Sequence, residues 1–488
     1  MKKDIITHPF RKFDVFILSF LLILAFAFRM YKVNTPLADF HSWRQADTAA
    51  VARNFVRHGI NLFDPRYDDF SSVETGIENP KGYRFVEFPL YNGVIAVFAK
   101  FIPMWPVEVW GRITTALFSL FLISIIYYIG LKESSRVTAV VAALVYAVFP
   151  FFVFFSRVIL PETAALTFAF LSIYFLYKRN FSSTRLTTFY FILSLISFAT
   201  ALLIKPPTAF FAITLLTLMI EYDRLKIVKT VRNYLFFFLS LIPFVGWRYF
   251  ISFHPEGIPA SGWLITSVNT YQGLQNIFFR PAFFRWIFFE RINIDILGGY
   301  LLPFLVIGSL SRMRNYLVPS ILISSLAYLF TFQGGNVQHE YYQTMILPAC
   351  ALMIGIGVHT IVHNSKIFLN RYITYPLIIA LFAFAYFVSY YKVKDFYYYP
   401  PEFTGMAQVV GFLTQPNDKI VTDRSGDTTL LYVIDRKGSP ALYKELDAFK
   451  KDGYSFFLST NKEKTEEIKK NKQYRIVFEG DKFALFRL

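Results

Sequence analysis

The sequence predicts an α-helical polytopic membrane protein with about eleven transmembrane helices, a long first outer loop and a small C-terminal α/β domain. Three observations carry this. Apolar runs near bilayer-crossing length recur through residues 1–393 of a 488-residue chain that is 55% hydrophobic and 19% aromatic. The Lys and Arg residues behind the net charge of +17 gather in alternate turns between those runs, as the positive-inside rule requires. Beyond residue 394 the long apolar runs give way to short strand-like and charged helical segments. A charge of +17 would suggest nucleic acid in a soluble protein, but here the turns account for it and no nucleic-acid partner is expected. The single cysteine, Cys350, lies in an apolar run, which excludes a disulfide framework and a thiolate metal cluster.

Taken in order, Lys2, Lys3, Arg11 and Lys12 precede the first span, 13–31, and place the N-terminus in the cytoplasm. No small-residue cleavage site follows that run, so it reads as an uncleaved span rather than a signal peptide. Residues 33–109 hold no full-length span and form the first outer loop. Within it, Ala46, Ala49, Ala50, Ala52, Phe55 and Val56, with Arg53 and Arg57 between, predict over 45–58 a helix lying at the interface. The run 89–102, stopped by Pro103 and Pro106, predicts a second surface or re-entrant helix. Spans follow at 110–131, 137–155, 163–177, 186–204, 208–221, 233–252, 296–311, 316–332, 343–362 and 373–391. Cytoplasmic turns are marked by Lys132 and Arg136, by Lys178, Arg179 and Arg185, by Arg224, Lys226, Lys229 and Arg232, by Arg312 and Arg314, and by Lys366 and Arg371. One outer loop carries His254, Trp263 and the aromatic-basic stretch 278–291. The chain is thus expected to be multi-pass in the cytoplasmic (inner) membrane, with its C-terminal domain outside.

Residues 394–488 open on an aromatic belt, Tyr397 to Tyr399, and two prolines. Strands are predicted at 419–423 and 454–458, charged amphipathic helices at 441–451 and 462–470, and a terminal hairpin from 474–478 and 483–486 split by Gly480 and Asp481. The segment has no Gly-rich phosphate loop, and its expected role is a lid or docking surface.

By this topology five polar clusters share the outer face: Asp39 to Asp47, Glu87 to Tyr91, Arg157 to Glu162, Lys205 to Pro207, and His339 to Tyr342. Polar groups this dense at a membrane surface are costly unless solvated or used. The chemistry that would use them is transfer from a lipid-linked phosphate donor, whose tail stays in the bilayer while its phosphate sits at the interface. A cation there stabilises the departing phosphate, and a carboxylate deprotonates an acceptor hydroxyl. Lys205, Arg44, Arg157 and His339 are the cationic or donor groups; Asp39, Asp47, Glu87 and Glu162 are the carboxylates. Each has a structural alternative. Arg157 and Glu162 can pair across a turn, Lys205 can snorkel, Glu87 can cap the helix that starts at Pro89, and His339 can bond a backbone carbonyl.

Asp39-x-His41-Ser42-Trp43-Arg44-Gln45-Ala46-Asp47-Thr48-Ala49, Glu87-Phe88-Pro89-Leu90, Arg157-x-x-x-Pro161-Glu162, Lys205-Pro206, and His339-x-Tyr341-Tyr342 with Pro348 together resemble the GT-C glycosyltransferases. The nearest branch is that of the protein O-mannosyltransferases and lipid A aminoarabinose transferases, the glycosyltransferase 39-like enzymes that use dolichyl-phosphate-mannose and its relatives. The resemblance covers 13–365 in pattern. It implies that an acidic residue of the first outer loop serves the acceptor, here Asp39 or Asp47. The family's paired Asp-Glu is replaced by His-Ser-Trp-Arg-Gln, which leaves the base open between the two, and the Lys that often follows the family's Glu is Phe88. Phosphate neutralisation then rests on Arg44, Lys205 or His339, and the family's acidic residue at the end of the third span matches Glu162.

The combined expectation is an integral-membrane glycosyltransferase. It moves a hexose or pentose from a polyprenyl-phosphate-linked donor to a hydroxyl of a glycolipid, polysaccharide or protein, with inversion. Asp39, Asp47 and Glu87 are the catalytic candidates. Arg44, Lys205, His339 and Tyr342 would hold the donor phosphate, and His41, Gln45, Arg157 and Glu162 would contact substrate. No cofactor is required; a divalent metal is permitted by the carboxylates but not indicated. The rival readings are a transporter or lipid flippase and a non-catalytic scaffold with an outer sensor domain. Transporters place ionisable groups near mid-bilayer on broken helices in repeated halves, and no internal repeat is visible here.

Overall fold

The structure, a computed structural model, describes residues 9–181, 184–260, 281–313, 315–364, 370–470 and 473–488. Trp263, Arg314, Lys366 and the start of the 278–291 stretch lie outside the described residues, as does the side chain of Arg185. The chain divides into two compact units. A helical unit comprises Met1–Val33, Arg112–Gly246 and Gly262–Asp395, and a mixed unit comprises Asn34–Gly111, Trp247–Ser261 and Phe396–Leu488. The sequence alone groups 33–109 with the spans; in the structure those residues share a unit with the C-terminal sheet.

The helical unit contains α1 (Lys12–Arg29), most of α4 (Val107–Glu133), α5 (Arg136–Val148), α6 (Pro150–Phe155), α7 (Glu162–Asn180), α8 (Thr184–Ile204), α9 (Ala212–Asp223) and most of α10 (Val231–Ile251). Helices Leu302–Leu310, Leu317–Thr331, Leu347–His363 and Arg371–Val393 also belong to it. Several expected spans are broken, each at residues that explain the break. The run 137–155 splits at Phe149, because Pro150 lacks the N–H to continue α5 and instead starts α6. The run 208–221 opens as a 3-10 turn, Pro206–Phe211. The run 343–362 opens as a 3-10 segment, Glu340–Ile346, and becomes α-helical where Pro348 sits in the first turn. The run 296–311 is helical only from Leu302, after a π-helix, Arg285–Ile296, and the positive-φ pair Gly298 and Gly299. Among the described residues five helices are long and apolar enough to cross a membrane, against the eleven spans expected. They lie at Val107–Glu133, Leu186–Ile204, Val231–Ile251 and Glu340–His363, with the fifth starting at Arg371.

Close packing holds this unit together. A Cβ at Gly308 would overlap the Met353 carbonyl, and one at Gly357 would overlap that of Phe304, so two helices touch backbone to backbone where glycine alone fits. Two buried charges of α1 are satisfied by neighbouring helices. Asp14 accepts from Tyr127 at 2.8 Å and from Arg136 at 2.7 and 2.9 Å, tying α1 to α4 and α5. Arg29 donates to Ser156 and to the carbonyls of Ala25, Tyr146 and Ala147.

The mixed unit contains α2 (Ser42–His58), α3 (Leu90–Phe101) and a five-stranded sheet of order β2-β1-β3-β5-β4. Its strands are β1 (Ile420–Thr422), β2 (Gly438–Ser439), β3 (Phe456–Ser459), β4 (Arg475–Glu479) and β5 (Ala484–Arg487). β1 runs parallel to β2 and β3, while β5 is antiparallel to β3 and β4, so the expected terminal hairpin forms. Helix Lys462–Lys470 forms as predicted, but 441–451 is helical only over Leu446–Lys451, because Glu445 takes the extended cap conformation. Helices Glu402–Leu413 and Thr429–Val433 were not legible in the pattern. Phe403, Met406, Val410, Leu430 and Leu431 cover one face of the sheet, and Leu446, Phe449 and Ile468 the other. The first loop extends this sheet: Phe70 N–H donates to the Gly438 carbonyl at 2.7 Å, and Gly438 N–H donates to that of Asp68 at 2.9 Å. α2 is largely buried within the unit instead of presenting an open apolar face. Ala49, Ala50 and Ala52 let its neighbours approach, and α3 and Thr429–Val433 pack on it.

Candidate functional site

In the mixed unit the polar residues are set by a turn and a helix start. Pro36 opens the turn, its carbonyl accepting from Ala38 N–H at 2.9 Å. Phe40 is pinned by a hydrogen bond from its N–H to the Phe396 carbonyl and by ring stacking on Phe396 at 4.2 Å. His41 then adopts φ 57°, the left-handed region, as the residue preceding α2. A side chain there costs about 1–2 kcal/mol, and such strain concentrates at sites whose surroundings over-determine it. Gln45 Nε2 donates to Asp39 Oδ1 at 2.8 Å and to the Phe40 carbonyl at 2.9 Å, fixing the Asp39 carboxylate, which is only 3% exposed. One turn away, Arg44 Nη2 lies 2.7 Å from both oxygens of Glu87. That engagement explains Glu87 better than capping, since the cap position of α3 is Pro89.

Asp47 has different surroundings. It is 1% exposed, and its two oxygens accept from Arg84 Nη2 at 2.7 Å and Thr428 Oγ1 at 2.6 Å. Arg84 also pairs with Glu74 and stacks over the Tyr67 ring at 5.0 Å. Burial pushes the Asp47 carboxyl up, while Arg84 and Thr428 pull it down. Next to this network, burial raises Asp69 to about 7, although it accepts from the Ser71 N–H and hydroxyl. Arg53 completes the set, paired to Asp68 at 2.5 Å and stacked over Tyr432 at 4.2 Å.

In the helical unit, Glu162 begins α7 and Lys205 follows the end of α8, so the antiparallel α7–α8 hairpin brings them to one end. Lys205 Nζ sits 2.8 Å from Glu162 Oε1, with side-chain exposures of 16% and 4%. A carboxylate at a helix N-terminus is stabilised further by the helix dipole. The alternative of an Arg157–Glu162 pair is thus replaced by Lys205 as the partner of Glu162, and the fully buried Arg157 donates to the Lys32 carbonyl at 3.1 Å. The 3-10 segment Glu340–Ile346 packs against α7, and His339 immediately precedes it. The His339 ring lies 5.4 Å from Tyr341 and 6.1 Å from Tyr342, whose carbonyl accepts from Tyr328 at 3.0 Å. Nearby, Arg291 pairs with Glu340 at 2.5 Å and Asp295 at 3.3 Å. An apolar groove of about 500 Å³ opens between the π-helix and its neighbours, lined by Phe284, Phe288, Leu305, Leu326, Ile346 and Cys350.

The structure therefore collects Asp39, His41, Arg44, Gln45, Asp47 and Glu87 in the mixed unit, and Arg157, Glu162, Lys205, His339 and Tyr342 in the helical unit. Sequence reasoning missed Arg84, Thr428 and Arg291. Arg84 lies in a polar stretch without periodicity, and Thr428 is far along the chain, so neither carried a local signal. Among the described residues no group of three or more His, Cys, Asp or Glu side chains is gathered closely enough to hold a metal ion.

Residues 89–250, about a third of the chain, match the family model for dolichyl-phosphate-mannose-protein mannosyltransferase. A search of curated proteins found no match. Among solved structures, the fold is similar to ArnT from Cupriavidus metallidurans in the apo state, with TM-score 0.65, 12% identity and 97% of each chain covered. The same protein bound to undecaprenyl phosphate aligns with TM-score 0.67 and 11% identity over 97% of this chain and 98% of that one. The Archaeoglobus fulgidus oligosaccharyltransferase AglB, in complex with an inhibitory peptide and a dolichol-phosphate, aligns with TM-score 0.54 and 11% identity over 92% of this chain and 70% of that one. The chain thus shares the fold of these membrane proteins, and residues 89–250 are similar to the dolichyl-phosphate-mannose-protein mannosyltransferase family, in line with the resemblance seen in the sequence.

Proposed function

We propose that this protein is an integral-membrane glycosyltransferase that takes a sugar from a polyprenyl-phosphate donor and delivers it to a hydroxyl of a glycolipid, polysaccharide or protein. The observation that carries the reading is that the mannosyltransferase-like region contains Glu162 and Lys205 and pairs them at 2.8 Å. That region thus offers a held ammonium for a departing phosphate. Two structures of similar fold bear names that include undecaprenyl phosphate and dolichol-phosphate.

In the reaction, Asp39 takes the proton of the acceptor hydroxyl, the acceptor oxygen attacks the anomeric carbon, and the carbon–oxygen bond to the phosphate breaks with inversion. The electron pair stays on the polyprenyl phosphate. Lys205 stabilises that developing charge, helped by His339 and Tyr342, because a fixed cation aimed at forming charge favours the transition state. Glu162 holds Lys205 in place. Gln45 orients Asp39, and Glu87 holds Arg44, the second phosphate ligand. Asp39 is preferred over Asp47 as base because Arg84 and Thr428 already occupy both Asp47 oxygens. His41 and Arg157 contribute substrate contacts. The apolar groove suits the polyprenyl chain. The reaction takes place on the outer face of the cytoplasmic membrane, in a chain of about eleven spans with its N-terminus inside and residues 394–488 outside. No cofactor is required.

Incubating the purified full chain with a panel of polyprenyl-phosphate sugars tests this. Loss of one donor with release of polyprenyl phosphate is expected. Leaflet-to-leaflet movement of a labelled lipid within one vesicle, without any donor cleavage, would instead identify a flippase. A cysteine-accessibility label at the exposed position 482 that reacts only in opened cells would overturn the orientation.

A further inference from the structure

A polar cavity lies in the helical unit, at the end remote from the Lys205–Glu162 pair. Its position follows from two contacts. Thr115 Oγ1, near the start of α4, donates to the Val158 carbonyl, four residues before α7 begins. Lys132, at the end of α4, and Lys178, at the end of α7, both stand over the Tyr128 ring, at 5.8 and 5.4 Å. The 19 residues of α7 span about 28 Å, roughly the thickness of the bilayer's apolar core. The cavity, about 250 Å³, is lined by Lys132, Glu133 and Ser134 and by Arg312, Asn315 and His359.

Its chemistry is that of an anion site. Two basic side chains, Lys132 and Arg312, line the cavity with a single carboxylate, Glu133, which accepts from Asn315 Nδ2 at 3.0 Å. The Ser134 hydroxyl and the His359 ring add uncharged hydrogen-bonding capacity, and a further hydroxyl pair, Ser311 and Thr360, joins at 2.8 Å. Lys178, outside the cavity lining, stands over the same Tyr128 ring as Lys132 and adds positive charge to this end of the unit. Helix ends, a bilayer-spanning distance from the other polar cluster, bring the cavity to the level of lipid headgroups, and basic pockets between membrane helices are suited to phosphate headgroups.

The geometry points to this cavity as a phosphate-binding site, separate from the proposed sugar-transfer residues, that takes the headgroup phosphate of an anionic phospholipid. Free inorganic phosphate shares the same chemistry, and the test separates the two sources. The full chain is placed in phosphatidylcholine nanodiscs doped with phosphatidylglycerol, and the lipid it retains is measured by native mass spectrometry. Retention of phosphatidylglycerol over phosphatidylcholine is expected, with about a tenfold loss in Arg312→Gln and again in Lys132→Gln, since one charge-assisted contact is worth that much or more. Arg312→Lys should keep most of the preference. Arg312 is exposed, so its replacement does not threaten the fold. If inorganic phosphate binds the wild type but not Arg312→Gln and displaces the lipid, the site is a free-phosphate site. If it does not displace the lipid, the headgroup is the ligand. Equal retention of phosphatidylglycerol by wild type and both glutamine variants, or no preference over phosphatidylcholine, would overturn the proposal.

Discussion

Asp39 and Asp47 come from one short motif, yet the structure treats them as different kinds of residue. Both are buried. Asp47 is locked between an arginine and a threonine inside a network that also takes in Glu74, Tyr67 and, close by, Asp69. Asp39 is oriented by the amide of Gln45 and sits beside a strained His41 at the start of α2. A carboxylate whose oxygens are both committed to partners is suited to holding a fold. Asp39, oriented by Gln45 in the Pro36 turn ahead of α2 and outside that network, is the one assigned the proton transfer. The motif's dense polarity therefore has two causes, and only the arrangement of Arg84 and Thr428 separates them.

The largest effect that sharpens this contrast is on stability. Asp47→Asn leaves Arg84 buried beside a neutral amide, and breaking a buried pair from one side costs about 3–5 kcal/mol. The unfolding midpoint of the solubilised protein should fall accordingly. Arg84→Met alone should fall by a similar amount, and the double variant by less than the sum. Additive losses would mean the two side chains do not act as a unit.

Lys205→Ala comes next. Losing one charge-assisted contact costs about 1.5–3 kcal/mol, and the account places that loss on use of the lipid donor. The apparent donor affinity should weaken at least tenfold. Unchanged donor affinity in a folded Lys205→Ala protein would reassign Lys205 to a purely structural pairing with Glu162. Glu162→Gln should show a smaller version of the same defect, because it loosens the ammonium without removing it.

A subtler effect concerns pH. Asp69 is raised to about 7 by burial, with Ser71 opposing, whereas an unfolded aspartate titrates near about 3.9. The folded protein therefore holds this proton more tightly than the unfolded chain. The stability it contributes is fully present below the unfolded value and is lost as pH rises through about 7. Between those limits the slope from this group is about 1.4 kcal/mol per pH unit. Asp69→Asn should flatten the dependence of the unfolding midpoint on pH over that interval; an unchanged slope would remove Asp69 as its source.

Much of the helical architecture is legible from apolar runs and basic turns, because both follow from burying backbone in hydrocarbon. The breaks are less so. Pro150 and the Gly298–Gly299 pair interrupt runs whose hydropathy is continuous, and backbone geometry overrides composition there. In the C-terminal region, strands β1, β3, β4 and β5 and helix Lys462–Lys470 follow the alternation of residues. The two-residue β2 has too little sequence to carry a pattern, and its pairing with Asp68 and Phe70 of the first loop is long-range. At the candidate site, Glu162 and Lys205 were both visible as polar groups at span ends, but their pairing depends on the α7–α8 hairpin. Arg44 and Glu87 were visible as separate motifs, and their contact required α2 and the turn before α3 to fold together.

The contrast between the two aspartates gives the most direct test of the whole account. Polyprenyl phosphate released from the donor that wild type accepts should be measured side by side for Asp39→Asn and Asp47→Asn, at a temperature where both variants remain folded. Loss of a positioned general base lowers rate by about 10²–10⁴, and the account predicts that loss for Asp39→Asn, with Asp47→Asn keeping most of its turnover per folded molecule. Near-full turnover in Asp39→Asn with a dead but folded Asp47→Asn would contradict it and move the proton transfer from the turn to the helix.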